Sequence, residues 1–354
     1  MNQPLSRRAA LTTIAAGTLT TLGACSRRDP ASGEVVLYSS VDDFVLRDVV
    51  RAFEAASTVR VRLLGDTEAT KTTGLVERLV AERSRPRADV WWSSEPFGTI
   101  RLTAMGVFEP TEIAAPPIDD PALAGRLSAP DRSWHGLALR ARVIAVRAGR
   151  FESAPPPDRL RDLSAPSLRA RVGIARPRFG TTRGHMAAIA AQHGEHALRD
   201  WLLALRENGL RVYDGNSTVV RAIAEGELDA GLTDTDDAWA ARRNQWPVEA
   251  VFEKPDPSPP ASGLPSPGPM LIPNTVALVR NGPNPANARR LLEFLLAGPA
   301  EEILALSDSH NIPVRHGSFP GLEPYRIPNG WLPDLHAVAE ADAPAMAVCD
   351  EVLG

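Results

Sequence analysis

Lysine is almost missing from this chain. Lys71 and Lys254 are the only two, and arginine supplies the rest of the positive charge. The formal net charge is −4 and no basic run is interleaved with aromatics, which argues against a nucleic-acid binder. Cysteine is scarce as well: Cys25 and Cys349 are the whole supply, too few for a zinc–thiolate centre. Catalytic signatures are missing too: there is no Gly-x-Ser-x-Gly elbow, no phosphate loop, no Gly-x-Gly-x-x-Gly after the first strand and no His-Glu-x-x-His. An enzyme reading is left with carboxylate pairs alone, as in a carboxylate-based hydrolase. With 44% hydrophobic and 23% charged residues, the composition is neither that of a disordered chain nor that of a membrane-embedded one.

What is present begins at the N-terminus. In "SRRAALTTIAAGTLTTLGAC" an Arg7-Arg8 pair precedes a weakly apolar, threonine-rich stretch that is too short to span a bilayer. This is the layout of an export signal, and the paired arginines resemble a twin-arginine signal, leaving Tat and Sec export both open. Leu22-Gly23-Ala24-Cys25 resembles the lipobox of bacterial lipoproteins, which implies lipidation at Cys25 and anchoring by acyl chains. Only Cys349 then remains, so no intramolecular disulfide is expected, and Cys349 reads as a core or bystander thiol.

Beyond the tether "RRDPASG", strands and helices alternate. "EVVLYSS" reads as a buried strand. "DFVLRDVVRAFEAAS" reads as an amphipathic helix with Phe44, Val49, Val50 and Phe53 towards one face. "VRVRLL", "TTGLVERLVAERS", "ADVWWS" and "EPFGTIRLTAMG" continue the alternation, the last closed by Gly106. A long apolar run from Leu137 to Val146 breaks the pattern without helical spacing. The alternation restarts with "RVGIA", two helices meeting near Gly194, and "RVYD". It goes on through "NSTVVRAIAEG", "LDAGLT", "DDAWAARRN" and "VEAVF". Seven prolines between Pro255 and Pro269 exclude regular helix and central strand there. "NTVALVR" is a further strand, and "NPANARRLLEFLLAG" and "PAEEILALS" are helices with Pro285 and Pro299 near their starts. The expected fold class is α/β with mixed sheets flanked by helices, as two units joined twice, at "LALRARVIAV" and "LIPNTVALVR". Two crossovers make a hinge, and a hinge between α/β lobes implies a ligand cleft.

Several segments, in order, carry a resemblance: "VVLYSSVDD", "GDTEATKTTGLVERLVAE", "RADVWWSSEP", "RVGIARPRFGTTRGHMAAIAA", "GNSTVVRAIAEGELDAGLTDTDDA", "IPNTVALVRNGPNPANARRLLEFLL" and "NIPVRHG". Over nearly all of the mature chain the sequence resembles the extracellular solute-binding proteins of bacterial ABC importers, nearest to the periplasmic ferric-iron-binding branch. The resemblance implies a two-lobe periplasmic-binding-protein-like fold with two hinge crossovers. It places residues 1–25 as export signal, 26–33 as tether, 34–138 plus 277–354 as lobe 1, and 139–276 as lobe 2, with the proline-rich 255–269 near the second hinge. It further implies a lipid-anchored monomer outside the cell membrane, partnered by a permease and its ATPase, with no catalysis and no catalytic cofactor.

Carried over residue by residue, the resemblance gives an altered site. Where iron-binding members keep a histidine after the first strand, this chain has Asp42. The glutamate after the "ADV" strand is Glu95, and the adjacent tyrosine pair falls on Asp236-Asp237. The segment serving a synergistic anion matches Thr181, Thr182 and Asn216, with Asp234 where a further asparagine is usual. The expected ligand set is therefore Asp42, Glu95, Asp236 and Asp237. Converging carboxylates repel unless a cation sits between them, and hard oxygen donors suit Fe³⁺, Ca²⁺, Mn²⁺ or Mg²⁺.

Two other readings stand beside this one. The cluster "TDTDD" also suits a helix N-terminus, with Asp234 or Thr235 as cap and Asp236 and Asp237 in the first turn. An aminated organic solute, such as a polyamine, an amino acid or an aminophosphonate, would use the carboxylates with Trp92 as a cleft aromatic. Its anionic end would use Thr181, Thr182 and Arg183 at a helix N-terminus. Trp91 reads as core, Lys71 as solvent-facing, and His185, His193 and His196 as surface residues. His135, His310, His316 and His336 have no partner spacing.

Overall fold

The computed structural model describes residues 33–66, 73–315 and 320–354. The signal stretch, Cys25, Lys71 and His316 lie outside the described residues, as does the side chain of Phe44. Strands β1 (Gly33–Ser39), β2 (Val59–Gly65) and β3 (Val90–Ser93) pair in parallel about β1. Helices α1 (Asp43–Ser57), α2 (Thr73–Ala81) and α3 (Phe97–Ala104) connect and flank them. Helix α1 buries Val45, Leu46, Val49 and Phe53, the i, i+4, i+8 stripe of an amphipathic helix, while Val50 packs at its edge. It stops at Thr58, which takes a left-handed φ of 58° and donates its N–H to Glu54 O.

The long apolar run becomes one strand, β4 (His135–Arg147). Its first part, to Ala141, pairs with β9 (Leu271–Leu278), and from Arg142 onwards it pairs with β7 (Ala230–Asp234) and β8 (Val248–Val251). Strand β9 in turn pairs with β3. Strands β5 (Val172–Ala175) and β6 (Arg211–Tyr213) complete the second half in parallel with β7. The order β2-β1-β3-β9-β4-β7-β5-β6 thus runs through both halves, with β4 and β9 as the two crossing strands. They are central and covered on both faces, so they read as continuous apolar runs rather than alternating ones.

A register shift between Leu137 and Leu139 marks β4 just before it changes partner, with Ala138 at a φ of 40°. The buried Glu301 carboxylate accepts the Ala138 N–H at 3.3 Å and the Arg315 N–H at 2.9 Å, and it pairs with the Arg315 guanidinium. That knot holds the crossing strand two residues before Arg140.

The second half carries α4 (Gly180–Glu207), α5 (Asn216–Ala224) and α6 (Thr235–Arg243). The two helices expected around Gly194 form a single element that breaks there, at φ 85° and ψ 159°, a conformation suited to glycine. Helices α7 (Pro285–Leu296) and α8 (Gly298–Leu306) start with proline in their first turn, as expected. Helix α9 (Leu335–Leu353) was not foreseen; Pro344 inside it masks the helical signal. It packs on α4, and Val338, Ala345, Val348, Cys349 and Val352 join the core of the second half. The sequence division grouped 277–354 with 34–138; on this packing we propose moving 335–354 to the second lobe.

Trp91 and Trp92 are both fully buried, on opposite faces of β3. Trp91 Nε1 donates to Thr99 Oγ1 at 2.7 Å. Trp92 lies among Val35, Leu37, Phe53 and Leu292, so its expected place as a cleft aromatic is corrected: it is core. Truncating either indole to alanine would cost about 3–5 kcal/mol.

Candidate functional site

Three strand ends deliver the acids. Asp42 follows β1, Glu95 follows β3, Asp234 ends β7, and Asp236 and Asp237 open α6 directly after it. One cavity of about 40 Å³ is lined by Glu95, Thr181, Thr182, Asn216, Asp234 and Asp237. A smaller one of about 10 Å³ is lined by Asp42 and Asp236. Ser94 and Arg140 line both, so Arg140 stands between the two cavities, while Trp92 and Arg183 line neither. Candidate ligand atoms of Asp234, Asp236 and Asp237 lie within 4.8 Å of one another.

Arg140 and its neighbour Arg142 are the residues that sequence reasoning missed. They sit two apart on one face of β4, 4% and 3% exposed, where the strand changes partner. Arg140 pairs with Asp236 and lies 3.4 Å from Asp234. Arg142 stands opposite Asp234 in the β4–β7 register and its Nη1 reaches Oδ1 at 2.7 Å. The signal was in "LALRARVIAV": two arginines on one face of a buried strand need buried anions. Burial disfavours the Arg140 charge, but Asp236, Asp234, Asp42 and Asp237 together hold its pKa above the usual arginine range.

Asp234 is fully engaged. Besides Arg142, it accepts from Thr181 Oγ1 at 2.6 Å and Asn216 Nδ2 at 3.0 Å. Burial alone would raise its carboxyl pKa; Arg142 and Arg140 overcome that and lower it below the usual range. The residues expected to serve an anion are therefore knitted into one buried network, with Arg142 cancelling the charge that Asp234 would present to an anion. Asp234 occupies the N-cap position of α6, yet its side chain makes no capping bond. Asp236 and Asp237 do lie in the first turn of α6, and Asp237 Oδ2 accepts from Thr233 Oγ1 at 3.2 Å.

The acid that engages a helix start is Glu95. Its carboxylate accepts the backbone N–H groups of Phe97 and Gly98 at the start of α3. The ring of Phe97 lies against Gly184 of α4, so close that a Cβ there would stand 1.9 Å from Phe97 Cε2. This contact joins the two halves beside Glu95. Arg183 turns away from the site to pair with Asp342 of α9 at 2.6 Å, correcting its reading as an anion contact. That pair is on the wall of a wider groove of about 590 Å³ between α3, α4 and α9, which reaches Glu95 and Gly180.

The surface reading of His185 is also corrected. It is buried, and burial together with nearby Arg142 pushes its pKa down to about 3, so the imidazole is neutral. His196 is exposed and His193 half-buried. Cys349 is buried and free, its thiol pushed up to about 12 by burial.

Comparison with known proteins agrees with this architecture. The chain is 25% identical over 275 residues to the major ferric iron-binding protein of Neisseria meningitidis, covering 78% of this chain and 79% of that one. It is 26% identical to iron uptake protein A1 of Synechocystis sp., covering 80% and 76%. The crystal structure of apo ferric ion-binding protein A from Pasteurella haemolytica superposes with a TM-score of 0.77 at 20% identity, covering 90% of this chain and 98% of that one. The α/β periplasmic-binding-protein fold is shared. Residues 35–306 match the family described as bacterial extracellular solute-binding protein, a family of binding proteins rather than enzymes, and the chain belongs to it.

Proposed function

We propose that this chain is the solute-binding component of an ABC importer, capturing ferric iron or another hard cation between its lobes and delivering it to a permease driven by an ATPase. The observation that carries the reading is the cluster of Asp234, Asp236 and Asp237, whose candidate ligand atoms lie within 4.8 Å of one another, with Asp42 sharing one adjoining cavity with Asp236 and Glu95 sharing the other with Asp237. The iron-related names of its relatives support the choice of cargo. All of these side chains are hard oxygen donors. Export and anchoring through a lipid on Cys25 complete the proposal.

Charge and volume point the same way. Four aspartates, Asp42, Asp234, Asp236 and Asp237, act on the guanidinium of Arg140, and Arg142 pairs with Asp234, leaving a formal surplus of two negative charges. A cavity of about 40 Å³ holds roughly three water-sized spheres, enough for an ion with a water or two. An aminated organic solute fits less well, because Trp92 is core and the wider groove, though it carries Glu95, Glu340 and Asp342, contains none of Asp42, Asp234, Asp236 and Asp237. Cargo binding is read as closure of the two lobes, shifting an open–closed equilibrium by as much as the cargo prefers the closed form.

Native mass spectrometry with elemental analysis of the exported full chain tests this. Bound iron, lost in Asp236→Ala/Asp237→Ala with folding intact, is the expected result. Metal-free protein whose thermal stability ignores added metal would refute it.

A further inference from the structure

Helix α6 carries Asp236 in its first turn and meets the first half of the molecule at three levels. Asp236, Trp239 and Arg243 stand at i, i+3 and i+7, one stripe of the helix. Asp236 shares its cavity with Ser309 and Asn311, which follow α8. Trp239 meets the Tyr325 ring edge to face with centroids 5.2 Å apart, and Tyr325 stacks on His310 at 3.6 Å. Arg243 pairs with Asp308 at the helix end. Leu304, just before this segment, and Ile327, just after it, pack into the cores of the first half. Trp239 is rooted in the second half, 9% exposed and beside the Phe252 ring that follows β8. His310 lies flat against Tyr325 on a left-handed backbone with a φ of 43°, which is costly for a residue other than glycine.

We propose that this seam is a latch between the lobes, in which Trp239 and Tyr325 act as positioning residues for Asp236. The proposal rests on the reading of the acids as the cargo site. The ring contact holds α6, and with it Asp236, against the first half. Cargo closes the same gap, so the seam and the ion stabilise one closed form and each strengthens the other. Ring pairs of this kind change an equilibrium by about two- to tenfold. That is too little to shut the lobes unaided and enough to slow their opening around a bound ion. The exposed Arg243–Asp308 pair adds less, and the Phe97–Gly184 contact beside Glu95 is a second seam between the same halves.

Iron(III) from its nitrilotriacetate complex loads the exported full chain, and its release to excess EDTA is timed in the wild type, Tyr325→Ala, Tyr325→Phe, Trp239→Leu and Trp239→Leu/Tyr325→Ala. Neither residue lines the cavities that hold the acids. Release should be about three- to tenfold faster in Tyr325→Ala and in Trp239→Leu, and near wild type in Tyr325→Phe. The double variant should release no faster than the worse single, because both remove one contact. A second measurement needs no metal. A short bismaleimide joins Arg243→Cys to Asp308→Cys, and adding Tyr325→Ala should slow that reaction at least about twofold. Either readout unchanged in a folded Tyr325→Ala overturns the latch while leaving the cargo reading intact. So do rate effects that multiply in the double variant, or a Tyr325→Phe as fast as Tyr325→Ala. Tyr325 is half-buried on the first half, so Tyr325→Ala carries the test if Trp239→Leu unfolds. A wild-type chain that takes up no iron removes the cargo reading, and this proposal with it.

Discussion

Asp234→Ala is the most informative single perturbation of the buried network. Asp234 is 1% exposed and accepts from Arg142 at 2.7 Å, Thr181 at 2.6 Å and Asn216 at 3.0 Å. Removing it strands the Arg142 guanidinium, itself 3% exposed, with only neutral partners at 3.3 Å in Thr181 and Asn216. Breaking one side of a buried ion pair costs about 3–5 kcal/mol, far more than any surface pair in this chain contributes. The Arg142→Met/Asp234→Leu double variant takes away both charges and should cost clearly less than Asp234→Ala alone. Urea unfolding near neutral pH measures both. Linkage adds a signature: the folded-state pKa of Asp234 is lowered, so its stabilisation is fully present above the unfolded value of about 3.9 and is lost as pH falls through the folded one. The penalty of Asp234→Ala should thus be constant from about pH 5 to 7 and shrink in strong acid. A cost below about 1 kcal/mol, or a double variant as damaged as the single, would refute the idea that Arg142 and Asp234 stabilise each other.

Two further outcomes are expected. Gly184→Ala places a methyl into the Phe97 ring and should cost about 1–3 kcal/mol and weaken cargo binding. Gly184→Ala/Phe97→Leu should recover part of both, and strict additivity in that cycle would argue that the two residues do not touch. Glu253 is buried and its carboxyl is pushed up to about 7 by that burial, so the folded chain holds a proton there that the unfolded chain releases at lower pH. Its ionisation therefore erodes stability as pH rises from about 4.5 through 7. Glu253→Gln should match the wild type at pH 4 and exceed it at pH 8 by up to about 3 kcal/mol, and a difference that does not vary with pH would count against this.

Much of the architecture was legible because its signals are local. Alternating strands and helices, proline at the starts of α7 and α8, and the glycine at position 194 are each read from a few neighbouring residues. Helix α9 was not legible, because Pro344 breaks its pattern and its apolar face is defined only by α4, more than a hundred residues earlier in the chain. Trp92 was misplaced for a related reason: a strand end seen alone does not say whether a second layer covers it.

The sequence by itself determined the acids: Asp42, Glu95, Asp234, Asp236 and Asp237, each at a strand end where a binding cleft is expected. Only the tertiary structure decided what those acids face. Arg140 and Arg142 look like two charges lost in an apolar run until β4 is paired with β9 on one side of Ala141 and with β7 on the other. That pairing brings residues some ninety positions apart to within hydrogen-bond reach. A buried charge is tolerable only beside its opposite, and which opposite it meets is set by strand register, a long-range property. The cluster that reads in sequence as unbalanced carboxylate is, in the fold, partly neutralised by the two buried arginines of β4.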